Sequence, residues 1–203
     1  MQDAFHDAPR HLPVRLALMP FLSGKRVGYI IKSLIRKVPG LDLTLVDTSH
    51  ESDARIISST IQKPDEALHK LWKDRYVLAA PANHPLAKQD SVLLAQLNKL
   101  PFISRRPSDI DEAWQFDVQN QGLHLDTKAT VRTEEYALDL VAAGLGVSIV
   151  PKQSTDGWGG LALLDIADLS LERVVGLAYD KDKPLPPALL SAINDVKLEL
   201  ADL

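Results

Sequence analysis

Histidines, helix-opening hydroxyls and an adjacent pair of arginines are the side chains in this 203-residue chain whose type and place bear on chemistry. The six histidines are His6, His11, His50, His69, His84 and His124, and none stands at a metal-ligand spacing such as His-Glu-x-x-His. There is no cysteine, which excludes disulfides and thiolate metal sites. His50, Glu51 and Asp53 imitate an acid–base cluster, but a solvated loop has the same composition. His84 lies in a His-Pro-Leu-Ala turn and reads as a side chain bonded to nearby backbone. No serine sits in a Gly-x-Ser-x-Gly elbow. No catalytic residue, metal or cofactor is therefore expected, and the chain is not read as an enzyme.

The remaining chemistry is anion binding. Ser23-Gly24 opens a helix directly after a strand, and a helix N-terminus presents free N–H groups and a positive dipole end. Ser23 is then either a plain N-cap or a cap that also touches a carboxylate. Thr133 opens a second helix in the same way, although Glu134 and Glu135 complement that dipole and weaken anion binding there. Arg105 and Arg106 are neighbours, so at most one points to a site; a guanidinium fork fits a carboxylate, and a solvated surface pair is the bland alternative. Phe21, Phe102 and Trp114 offer apolar walls, with Phe102 also readable as core. Trp158, in a Gly-rich turn, is a surface anchor or loop packing.

These side chains need elements to position them. VRLALM (14–19) reads as a strand buried on both faces. From Lys25 to Val38, Val27, Ile30, Ile31, Leu34, Ile35 and Val38 recur at helical spacing, and Pro39-Gly40 stops the helix. Further strands are expected at 41–46, 53–58, 76–81, 101–104, 127–132, 147–151, 161–166 and 174–180. Helices are expected at 91–97 (capped by Ser91), 109–121, from Thr133 to Gly144, and from Pro187 to about Leu200. Strands alternating with helices predict a parallel or mixed α/β sheet. Residues 1–13 read as a flexible lead-in.

Composition narrows the class. Hydrophobic residues are 45%, charged residues 25%, and the net charge is -4, so the clustered basic surface of a nucleic-acid binder is missing and this chain alone is not expected to hold DNA. No apolar run reaches the ~20 residues of a membrane span, nor does the N-terminus carry the ~7–15 apolar residues of an export signal. A cytoplasmic protein is the expectation.

Three segments resemble LysR-type transcriptional regulators in order and spacing: VLAAPANHPLA (77–87), LVAAGLGVSIVP (140–151) and LAYDKDKPLPPALLSAINDV (177–196). The opening strand, loop, helix and Pro-Gly stop are also similar, so the resemblance covers about 14–197. In the second segment Gly144 fits a left-handed helix stop and Gly146 a close backbone approach; the order helix, turn, strand is the reverse of a phosphate loop. The resemblance implies the effector-binding part of such a regulator. Its fold would be α/β and type 2 periplasmic-binding-protein-like: two Rossmann-like subdomains, 14–80 with 166–203 and 81–165, joined by two crossover strands, with the ligand in the cleft. It further implies a small organic anion held by Pro20, Phe21, Leu22, Ser23, Ser59, Phe102, Ser104, Arg105, Thr133 and Val150. A homodimer is implied through the helix Lys25 to Val38 against the partner's helix Glu134 to Ala143, with Lys32 and Arg36 meeting Glu134, Glu135 or Asp139; the width of the first helix's apolar face leaves Tyr29 and Ile30 or Val27 uncovered in a monomer, unless that face is all intramolecular core. DNA and RNA polymerase would be met only through an N-terminal domain absent from this chain. The alternatives are a solute-binding protein of a transport system and an enzyme on the same fold.

One place departs from the family. Only DTSHES separates the strand LDLTLV from DARIIS, about ten residues fewer than a parallel crossover needs. Directly joined parallel neighbours are therefore not expected there.

Overall fold

The computed structural model describes residues 11–201, so most of the expected lead-in lies outside the described residues. Its end does not: Leu12 and Pro13 already belong to β1 (Leu12–Leu18), where Leu12 N donates to Gly40 O at 2.8 Å. The chain divides into two compact units. The first takes residues up to Met19, Lys25–Trp72 and those from Val175 on; the second takes Pro20–Gly24 and Lys73–Val174.

The first unit contains β1, α1 (Gly24–Lys37, from Lys25 on), β2 (Leu41–Asp47), β3 (Ala54–Ser58), the start of β4 (Glu66–Pro81), the end of β10 (Glu172–Asp180) and α4 (Pro187–Ala201). Its sheet runs β2-β1-β3-β10, with β1 parallel to both neighbours and β10 antiparallel to β3. This resolves the short β2–β3 connection. The two strands are not neighbours; they flank β1, Asp47 opposite Leu18 and Ala54 opposite Leu16. The loop thus crosses two strand spacings, about 10 Å, with almost no return along the sheet. Six extended residues reach about 20 Å, so no crossover helix is required. Asp53 anchors the far end, its N donating to Arg15 O and its carboxylate accepting Arg15 N at 2.7 Å.

Helix α1 buries Ile30 and Leu34, Val38 just past its end is buried as well, and Tyr29 Oη donates to Glu199 of α4 at 2.8 Å. Of the residues expected to stay uncovered, Ile30 is corrected, being 0% exposed, while Tyr29 and Val27 are half-buried. The apolar residues left at the surface follow the i, i+4, i+8 stripe: Val27 and Ile31 half-buried, Ile35 exposed. Arg55 and Glu66 add a buried bidentate pair at 2.7 and 2.6 Å.

In the second unit the end of β4 lies between β8 (Ser148–Pro151) and β9 (Leu161–Ile166), antiparallel to both, and β5 (Ser91–Val92) pairs parallel with β9. β6 (Pro101–Arg105) and β7 (Asp126–Val131) form a parallel pair, bridged at Phe102 to Val147. α2 spans Asp111–Asn120 and α3 Glu134–Ala142. The expected helix over 91–97 is instead β5 followed by a single 3₁₀ turn, Leu94–Leu97, with Ser91 and Val92 taken into the sheet opposite Asp165 and Ile166 of β9. β4 also begins ten residues before the expected strand; its polar first half, EALHKLWKDR, hides the signal. Unalternating apolar residues of β4 and β8 bury both faces: one cluster holds Leu78, Phe102 and Ile149, the other Phe21, Val77, Ile103, Leu138 and Val150. Gly144 has φ +83 and ends α3 as expected, donating to Val141 O at 2.9 Å.

Candidate functional site

The segment Pro20–Gly24 belongs by its contacts to the second unit, although the elements on either side of it belong to the first. Phe21 turns it sharply: its φ is +61, a left-handed conformation that costs a non-glycine residue about 1–2 kcal/mol. Leu22 and Ser23 follow, both buried, and α1 begins at Gly24. The first turn of α1 has no acidic residue and its last turn carries Arg36 and Lys37. Its positive N-terminal end is therefore uncompensated from within the helix. An acid comes instead from α3. A Cβ built on Gly24 would stand 3.1 Å from Glu135 Oε1, so the missing side chain leaves room for a carboxylate beside the helix start.

Thr133 caps α3, its Oγ1 accepting from Tyr136 N at 3.2 Å. That bond uses a lone pair of the hydroxyl and not its proton.

Arg105 departs from expectation. Its side chain is 3% exposed; Nη2 donates to Glu134 Oε2 at 2.8 Å and Nη1 to Ile149 O at 3.2 Å. Its guanidinium carbon also lies 4.4 Å from the centre of the Phe21 ring. The expected free fork for a carboxylate is thus corrected: a ligand would have to displace Glu134. The same pair removes Glu134 from any intermolecular contact with Lys32 or Arg36. Burial pushes the Glu134 carboxyl above its ordinary value, opposed by the charges of Arg105 and Arg173.

The other expected residues are spread. Phe21 and Val150 share one core cluster, so neither is an open wall. Phe102 lies in the opposite cluster, its ring stacked on Trp114 at 5.8 Å, and Ser104 lines with it a small recess of about 20 Å³. Pro20 is exposed. Ser59 belongs to the first unit, at the start of a 3₁₀ turn capped by Ser58. The second unit thus brings Phe21 together with Arg105 and Val150, while Phe102 packs in the other cluster and shares its recess with Ser104 and Arg105. Sequence reading missed Glu135 as a neighbour of Gly24. It missed Arg173 altogether; the signal was an arginine opening the buried run VVGLA.

The first unit has a concavity of about 760 Å³ beside the short β2–β3 loop, with charges of both signs in its lining, among them Arg15, Asp53, Lys63 and Asp65. Hydrogen bonds from Ser49 to Asp47, joined by His50, hold the Asp47 carboxyl down at about 2. Among the described residues no group of three or more His, Asp or Glu could hold a metal, and no helix is long and apolar enough to cross a membrane.

The two α/β units share the strands β4 and β10. Residues 8–199 match the family described as LysR substrate binding domain, and the chain belongs to that family. Curated relatives include the HTH-type transcriptional regulator TtuA of Agrobacterium vitis, 27% identical over 78% of this chain and 55% of its own length. The Hca operon transcriptional activator HcaR of Escherichia coli is 28% identical over 74% of this chain and 52% of its own. The chain therefore spans about half the length of these relatives. Among solved structures, the regulatory domain of CcmR from Synechocystis, in complex with 2-PG, superimposes with a TM-score of 0.81 at 20% identity, covering 94% of this chain and 98% of that one. The effector-binding domain of QuiR, in complex with shikimate, gives 0.75 at 21% identity, covering 95% and 98%. At such identity the likeness concerns the fold.

Proposed function

We propose that the chain is the effector-sensing part of a LysR-type transcriptional regulator and that its effector is a small organic anion, a carboxylate. The observation that carries this reading is the start of α1. Its positive end follows a buried segment, Leu22 and Ser23, and already has one carboxylate, that of Glu135, beside it. Ser23 and the Gly24 amide, both of the second unit, receive the ligand, and Thr133 donates its hydroxyl. Arg105 is assigned a supporting role because its fork is engaged by Glu134. The shikimate bound to QuiR, a carboxylate when ionised, is consistent with this class of ligand. No catalytic step is part of the reading, and any contact with DNA or RNA polymerase belongs to segments outside this chain.

Glu135 sets the test. Its charge repels an incoming anion at the same place, so Glu135→Gln should tighten carboxylate binding by about two- to fivefold, the worth of one charge at a helix end. Calorimetry with shikimate and a panel of small carboxylates reads this. Unchanged or weaker binding by the variant removes the α1 start from the site.

The sensing domain acts as a homodimer in this reading. α1 presents Val27, Ile31 and Ile35, the last 53% exposed, and α3 presents Tyr136, 64% exposed. Two-fold symmetry would use each surface twice, with Lys32 and Arg36 facing Glu135 or Asp139 of the partner. Ile35→Glu is expected to give a folded monomer by light scattering. A variant that stays dimeric places the interface elsewhere.

A further inference from the structure

The second unit buries a set of charged side chains under the Phe21 turn. Arg173, with no exposed side-chain surface, donates from Nη1 to Phe21 O at 2.9 Å. The same nitrogen lies 3.6 Å from Asp109 Oδ1, and Nη2 lies 4.0 Å from Asp74 Oδ2. Asp109 Oδ1 also accepts from Tyr76 Oη at 2.8 Å. The Arg173 and Arg105 guanidinium carbons lie 5.7 and 5.6 Å from the Tyr76 ring centre. Phe21 is therefore gripped twice, its carbonyl by Arg173 and its ring by Arg105.

Buried ion pairs give little net stability compared with apolar side chains of the same volume. Left-handed backbone at a bulky residue persists only where its surroundings hold it. Both features fall on one turn. We propose that Arg173 and Arg105 are positioning residues that clamp Phe21 in its left-handed bend and so fix Leu22 and Ser23 at the start of α1. Through Arg105 the same turn is joined to Glu134, the first residue of α3. The inference rests on the reading that Ser23 meets the effector.

A lysine in place of Arg173 keeps the charge but has no planar fork to hold Phe21 O while facing two carboxylates. In Arg173→Lys, hydrogen exchange over residues 21–24 should rise by about tenfold or more as the turn opens locally, while the β8 amides keep their protection. Binding of the tightest carboxylate of the panel should weaken in parallel. Because the new ammonium group would sit among buried acids, R173L/D74N/D109N, which removes the charges together, is the second variant and should show the same loosening. Residues 21–24 as protected as in the wild type, in either folded variant, overturn the clamp. The two ideas separate cleanly. A loosened turn, with carboxylate binding in the wild-type background indifferent to Ser23→Ala, keeps the clamp and removes the effector reading. A protected turn with binding lost in Ser23→Ala does the reverse.

Discussion

Gly146→Ala should cost the second unit about 3 kcal/mol or more, beyond the usual range for one added methyl group. A Cβ at that position would lie 2.5 Å from Pro101 O and 2.7 Å from Pro101 C. These are backbone atoms and cannot swing aside. The strands are also pinned on both sides of the contact, since Val147 N donates to Pro101 O at 2.9 Å and Ile103 N to Val147 O at 2.8 Å. Moving Pro101 away breaks those bonds and opens the junction between β6 and the chain entering β8. Urea denaturation of the variant should show a sharply lower midpoint. A midpoint within experimental error of the wild type would mean that the junction is looser than its geometry.

Arg105→Ala has the second large effect, expressed as stability before affinity. It strands the Glu134 carboxylate, 2% exposed, without its 2.8 Å partner. Removing one member of a buried pair costs about 3–5 kcal/mol, because the other charge stays desolvated. R105M/E134L should recover most of the stability, since apolar side chains of similar volume substitute well for buried pairs. If the single variant unfolds at the wild-type urea concentration, the pair contributes nothing to the fold.

The contrast between these two positions shows what the sequence carried. Gly146 was legible because one glycine between a helix stop and an apolar run has few other uses, and the approach to Pro101 bears that reading out. Gly144 was legible for the same reason, and its φ of +83 agrees. The strands β8 and β9 and the helix α4 were legible from apolar runs and from Pro187. Arg105 was legible as a site candidate, but its intramolecular partner Glu134 was not. Glu134 reads locally as an acid suited to its own helix dipole, and only the fold brings it under β6. The first half of β4 was illegible because its polar residues carry no apolar alternation. The short β2–β3 loop was legible as a sign that its strands are not neighbours, which their places on either side of β1 bear out; that six residues suffice follows from a register that starts Ala54 opposite Leu16 and that no local pattern shows.

The central claim is that Ser23 and the start of α1 receive a small carboxylate. Titration calorimetry of a panel of mono- and dicarboxylates, shikimate among them, against the wild-type chain and Ser23→Ala tests it most directly. The account predicts that at least one member binds the wild type with one site per chain and that Ser23→Ala weakens it about tenfold or more, as expected for a hydrogen bond to a charged group. Binding of a carboxylate with the same affinity to both proteins, or none across the panel, would contradict it.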